Sequence, residues 1–335
     1  MVIHFKKLIF GFFACVLVFV AGFRPVGLDQ DSELYSTELL NSASDVDFLS
    51  KEPAFWLFQQ INLFVFGGSF TAFFLIFALV GVVSKTIAIY RISPWPLMSL
   101  FVYISFFFVL HEMNQIRAGV AIALVFWSIK DILDRNVVGF FLKVSAGILF
   151  HYSAIIFLPL YLISCRYSFR HLIFYSILPV LGIILMSLGV VEFGLRGVTE
   201  YLPNFLAFKI NIYFDLMESG KIERVNPLNY GNLSLLFVLY FSLFFVFFKK
   251  TSDSYRGLIV ISMKWLSLGF FVLFSFSFLE VFAYRISNYL FFSLVLILPY
   301  VFTRFRPITF SMTVFGFYFF YNSYKTISIL NLGNL

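Results

Sequence analysis

The sequence predicts an all-α, polytopic membrane protein, because 61% of its 335 residues are hydrophobic, only 12% are charged, and 51 phenylalanines are spread along the whole chain. A soluble domain carries about twice that charge, so lipid serves as solvent along the whole length rather than around a single anchor. A helix needs roughly 20 apolar residues to cross a core about 30 Å thick. Apolar runs near 5–23, 68–84, 94–111, 117–133, 137–150, 152–165, 171–191, 230–248, 258–279, 286–303 and 307–324 satisfy or approach that length. About eleven transmembrane or re-entrant helices, ten to twelve in all, therefore form one membrane domain over 1–335. The ten-residue alternation of an outer-membrane barrel is missing.

The first run follows Lys6 and Lys7 and ends on Ala21-Gly22. An uncleaved helix is expected there, with a cleaved signal peptide as the alternative. With the N-terminus inside, 13 Lys or Arg and three acidic residues lie on the inner side, including Lys85, Lys249, Lys250 and Asp253. Nine basic and 14 acidic residues lie outside, and Lys143 and Lys264 fall near segment ends. The inner Lys and Arg excess fixes this orientation. It also explains the net charge of +7 without nucleic acid.

Residues 137–165 hold two runs of about 14 residues meeting at His151-Tyr152-Ser153, each near 21 Å if helical. That suits a hairpin, either spanning or re-entrant. Two outer loops are long, 24–67 and 192–229. Phe55, Leu57, Phe58, Ile61 and Phe64 alternate with Glu52, Gln59, Gln60 and Asn62, which suggests a helix lying at the interface. In the second loop Thr199 and Pro203 precede a short helix ending near Gly220, with Thr199 as its expected cap.

Phosphate-binding GxxxxGK[ST], GxSxG, HExxH and GxGxxG patterns are all missing, so nucleotide-driven transport, elbow-serine hydrolysis and zinc proteolysis lack support. His4, His111, His151 and His171 have no metal-ligand spacing, and Cys15 and Cys165 make no CxxC. The chemistry-bearing residues instead gather near outer helix ends. Arg24, Asp29, Asp31, Glu33, Tyr35 and Glu52 could bind sugar hydroxyls or accept a proton, or form a solvated acidic loop. His111, Asn114, Gln115 and Arg117 mark the third outer turn, where the planar donor fork of Arg117 suits a lipid-linked phosphate. His151, recessed at the hairpin tip, suits proton transfer. Arg285 and Tyr289 share a helix face, with a Glu280–Arg285 surface pair as the alternative. As a set, two arginines, a histidine and carboxylates could stabilise a departing pyrophosphate without metal or nucleotide.

Arg24-Pro-Val-Gly27 with Asp29, Tyr35 and Glu52-Pro53, then Asn114-Gln115-Ile-Arg117-Ala-Gly, Phe150-His151-Tyr-Ser153-Ala, and Arg285 with Asn288-Tyr289 resemble the EpsG-type family of Wzy-like bacterial O-antigen and capsule polymerases. Gln30 stands where the family often has Thr after the Asp, which leaves Asp29 and Asp31 as equal candidates. The resemblance implies a GT-C-like bundle in the bacterial inner membrane with its active face in the periplasm. A polyprenyl-pyrophosphate-linked glycan would be the donor and the terminal sugar of another lipid-linked repeat unit the acceptor, with no cofactor. It further implies Arg117, Arg285 and Arg24 on the pyrophosphate, His151, Asp29, Asp31 or Glu52 in catalysis, and Tyr35, Asn114, Gln115 and Tyr289 on sugar. A chain-length regulator stays open as a partner. The rivals are a polyprenyl-phosphate-sugar transferase, a lipid-linked oligosaccharide flippase and a membrane acyltransferase.

Overall fold

A computed structural model describes residues 2–41, 51–202, 204–220, 226–248, 255–328 and 330. Lys249, Lys250, Asp253 and Pro203 lie outside these residues. Every regular element among the described residues is helical. The helices are α1 (Val2–Gly22), α2 (Ser32–Asn41), α3 (Pro53–Phe66), α4 (Phe70–Ile92), α5 (Pro96–Tyr103), α6 (Ile116–Trp127), α7 (Ile129–Leu133) and α8 (Val137–Phe150), then α9 (Phe169–Leu188), α10 (Val190–Val198), α11 (Asn204–Glu218), α12 (Tyr230–Phe248), α13 (Arg256–Ser275), α14 (Glu280–Phe291), α15 (Leu294–Arg304) and α16 (Ile308–Ile327). Among the described residues, five helical stretches are long and apolar enough to cross a membrane, or six if α14 and α15 together make one span. Each of the eleven apolar runs coincides with helix, but several are broken or short. The 117–133 run divides into α6 and α7 at Ser128, and the 152–165 run is a 3₁₀ segment, Tyr152–Leu162.

The chain divides into two compact units, Met1–Cys165 with Leu294–Leu335, and Arg166–Ser293. In the first, α1 runs antiparallel to α4, with Phe10 edge-on to Tyr90 at 5.2 Å and Gly22 against Leu75. α5 continues as a π-helical stretch, Ile104–Asn114, closed by a wide bond from Gln115 N to Leu110 O of 2.8 Å. α8 and the 3₁₀ segment fold back on each other at His151, whose backbone is extended (φ −156°), forming the expected hairpin. In the second unit, α9 ends at Gly189, whose positive φ of 62° supplies the left-handed cap. α13 packs on α9 through Ser267 Oγ, which donates to Tyr175 O at 2.6 Å. Lys264 donates to Arg166 O at 2.8 Å. Thr199 does not cap α11: its hydroxyl donates backward to Arg196 O at 2.6 Å.

One expectation about charge placement changes. α4 does not stop near residue 84 but runs on to Ile92, so Lys85 lies inside the helix rather than in a loop. Its ammonium is fully enclosed, donating to Glu112 and, at 2.7 Å, to Gly119 O, while Tyr103 OH donates to Glu112 at 2.9 Å. Gly81 and Gly119 permit this approach: a Cβ on Gly81 would meet Glu112 Oε2, and one on Gly119 would meet the His111 carbonyl oxygen. Lys143 is paired as well, with Asp131. The helix α3 buries Phe55, Gln59 and Asn62 and exposes Leu57, Ile61 and Phe64, so much of its apolar side faces outward.

Gly119→Ala should lower stability by about 1–3 kcal/mol, because backbone must shift to admit the methyl, whereas Gly11→Ala, with nothing within 4 Å, should change little; thermal unfolding in detergent compares them. Lys85→Met alone should cost about 3–5 kcal/mol by stranding Glu112, and adding Glu112→Gln should recover much of that. A double variant no more stable than the single one would contradict the pairing.

Candidate functional site

The site grows from one carboxylate. Glu52 precedes Pro53, whose fixed φ suits the first turn of α3, and Glu52 has extended backbone that carries its side chain away from the helix. Its Oε2 accepts from Arg117 at 2.9 Å and its Oε1 lies 2.8 Å from His151 Nδ1. Three segments far apart in sequence thus meet: the start of α3, the first turn of α6 and the end of α8. A cation in the first turn of a helix is opposed by the helix dipole, and here Glu52 and Glu38, the latter 4.0 Å from Arg117 Nη2, offset that cost. The guanidinium also lies over the rings of Phe55 (4.6 Å) and Tyr35 (5.4 Å).

Burial raises the Glu52 carboxyl, but the hydrogen bond from His151 and the charge of Arg117 outweigh it and hold Glu52 below the ordinary carboxylate range. An ionised carboxylate only accepts, so Nδ1 of His151 carries the hydrogen in this contact. In the neutral ring Nε2 is then the acceptor, and it makes no hydrogen bond to the described residues.

Exposure separates three ion pairs of the first unit. Arg24 and Asp29 have side chains 1% and 2% exposed, and Lys85 and Glu112 0% and 1%. Arg117 and His151 keep 21% and 16% exposure around Glu52 at 10%. Only the last cluster of the three is open to another molecule.

The other predicted site residues fall into place around it. Arg24 binds Asp29 at 2.8 Å and donates to the carbonyls of Ala21 and Met113, with Phe74 beneath it at 3.9 Å. Asp31 N donates to Asn114 Oδ1 at 3.1 Å, which ties the first loop to the α5–α6 turn. Tyr35 is buried beside Phe55. Gln115 Oε1 is buried with no hydrogen-bond partner among the described residues, as is Glu38 Oε2. Arg285 and Tyr289 belong to the second unit; Tyr289 is buried, while Arg285 is half-buried and makes no ion pair among the described residues, so the Glu280 pair does not form. His111 is fully enclosed, stacked on Phe107 at 5.3 Å.

Sequence reasoning overlooked Glu38 and Tyr103 and put Lys85 in an inner loop. Glu38 had one available signal, since it follows Tyr35 by three residues and so shares its helix face. Lys85 and Glu112, 27 positions apart, offered none.

The Glu52 carboxyl titrates lower in the folded than in the unfolded chain. Its contribution to stability is therefore complete above the unfolded value of about 4.3 and disappears as the pH falls through the lower folded value. Glu52→Gln should thus melt below wild type at pH 7, with a deficit that shrinks below about pH 4. A deficit independent of pH would show that Glu52 acts by packing alone.

No curated protein and no solved structure matches the chain. A model of the EpsG family matches residues 7–334, from the first helix through the last and across every site residue described above. The protein therefore belongs to the EpsG family.

Proposed function

We propose that the protein polymerises lipid-linked oligosaccharide repeat units, transferring a polyprenyl-pyrophosphate-linked glycan onto the terminal sugar of another lipid-linked unit. The observation that carries this reading is the accessible Arg117–Glu52–His151 cluster in a chain of this family. The bond between the anomeric carbon and the pyrophosphate oxygen breaks, a new glycosidic bond forms to the acceptor oxygen, and the acceptor hydroxyl loses its proton. His151 Nε2 takes that proton, and Glu52 holds the ring in the tautomer that leaves Nε2 as the acceptor, the orienting role of a triad carboxylate. Arg117 stabilises the departing pyrophosphate. Gln115 and Glu38, both partly exposed beside Arg117, orient the sugar, while the enclosed Tyr35 and Asn114 support that wall from behind. Asp31 is the alternative base.

Arg24 and Asp29, enclosed and bound to each other, hold the first loop against the α5–α6 turn and act on the substrate through that loop. The proposal includes a GT-C-like arrangement of about eleven segments in the bacterial inner membrane, the N-terminus in the cytoplasm and the site facing the periplasm. Metal and nucleotide play no part in it, and the polymer is O-antigen or capsule.

The test is a polysaccharide ladder from cells lacking the gene, complemented with wild type or variants at matched protein levels. Deletion should collapse the ladder to a single repeat, and His151→Ala should lower polymerisation about 10²–10⁴-fold. Arg117→Lys should restore little, since a point charge does not replace the planar fork. Loss of even the single repeat on deletion would place the protein earlier, as a single-sugar transferase or a flippase, and would end this reading.

A further inference from the structure

A groove between α1 and α4 in the first unit is unused by the chemistry above. It has a volume of about 480 Å³, within the range of small-molecule pockets. Its walls are apolar along most of their length: Gly11 and Ala14 on α1, Ile87 and Tyr90 on α4. The hydroxyl of Thr86, which also lines it, donates to Val82 O at 2.8 Å and so asks nothing of an occupant. Lys7 and Arg91 close one end. Because the two helices are antiparallel, a residue early in α1 and one in the last turn of α4 come to the same end. Both cations are exposed, and among the described residues no acidic side chain lines the groove and neither cation makes an ion pair. Two unneutralised cations at the mouth of an apolar slot complement one class of molecule, an anion with a hydrocarbon tail.

We infer that this groove binds an anionic phospholipid, its phosphate between Lys7 and Arg91 and one acyl chain along Gly11, Ala14 and Ile87. A soluble anion would leave the apolar length of the slot empty, and a zwitterionic headgroup would set its own cation against two others. The groove is also separate from the Glu52 cluster: none of its lining residues belongs to that cluster, and Arg91, at its charged end, lies ten residues beyond Gly81 on α4, about 15 Å along the helix. Anionic headgroups are attracted to basic sites between transmembrane helices on the inner side, and the basic residues at this end are those that the positive-inside rule assigns there.

Gly11 supplies the means of testing the slot apart from its charges. Nothing lies within 4 Å of where its Cβ would stand, so a side chain there starts free of its neighbours and extends into the groove that Gly11 lines. The experiment is native mass spectrometry of the purified full-length protein titrated with phosphatidylglycerol, with phosphatidylcholine of the same chains, with inorganic phosphate and with a polyprenyl phosphate. Wild type should retain phosphatidylglycerol in preference to phosphatidylcholine. Lys7→Gln and Arg91→Gln should each weaken that binding about fivefold. Gly11→Leu should weaken it with both charges intact and with an unchanged melting temperature. Equal retention of the two phospholipids, or full binding by Gly11→Leu, would overturn the inference. So would displacement of phosphatidylglycerol by inorganic phosphate, which would reveal a soluble-anion site. Preferential displacement by the polyprenyl phosphate would overturn it as well, by assigning the groove to the isoprenoid carrier.

Discussion

Charge placed among apolar helices must be compensated where it stands, and the carboxylate of Glu52 shows what this requirement builds. Two partners on two other segments converge on it: without it Arg117 keeps only the more distant Glu38, and His151 Nδ1 loses its acceptor. The chain on either side is arranged accordingly: Pro53 starts α3 immediately after the carboxylate, Arg117 begins α6 despite the helix dipole, and α8 stops at a residue with extended backbone. The same rule explains Arg24 with Asp29 and Lys85 with Glu112, which knit the first loop and the middle of α4 to the α5–α6 turn. The ends of α5 and α6 are thus fixed from two sides before any substrate arrives, which is the preorganisation that a charge-stabilising site needs.

The turn is also recessed. About 16 Å of α4 lies between Phe70 and Gly81, the residue against Glu112. The Glu52 cluster stands nearer the start of α4, where Phe55, beneath Arg117, packs on Phe73 and Phe77. Low dielectric strengthens its electrostatics, and partial exposure at Arg117 and His151 still admits a ligand.

The helices were legible because lipid demands long apolar runs, and every run chosen on that basis is helical. Their interruptions were not, since hydropathy does not distinguish a straight span from the break at Ser128, the 3₁₀ segment after His151 or the π-helical turns before Gln115. The rule that puts charge at helix ends located Arg117 and His151 and misplaced Lys85, because a cation matched by a carboxylate on a neighbouring helix is exempt from it. α3 was readable as amphipathic, but not in its orientation. Among lipids the apolar side can face out, and Gln59 and Asn62 turn inward with Phe55.

The contrast between Glu52 and Glu112 states the functional difference most sharply. Both are glutamates beside a cation in the same unit, within a few residues of the same turn in space. Glu112 is closed in by Lys85 and Tyr103, with Gly81 giving it room, so its interactions are complete and a ligand has nothing to add. Glu52 shares itself between two groups that each keep an open side: Nε2 of His151 and the remaining donors of Arg117. A carboxylate used in this way does more than compensate charge, because it also sets the tautomer of one partner and the direction of the other. Removing Glu112 would damage the fold, whereas removing Glu52 would leave the helices in place and misdirect the two groups that chemistry needs.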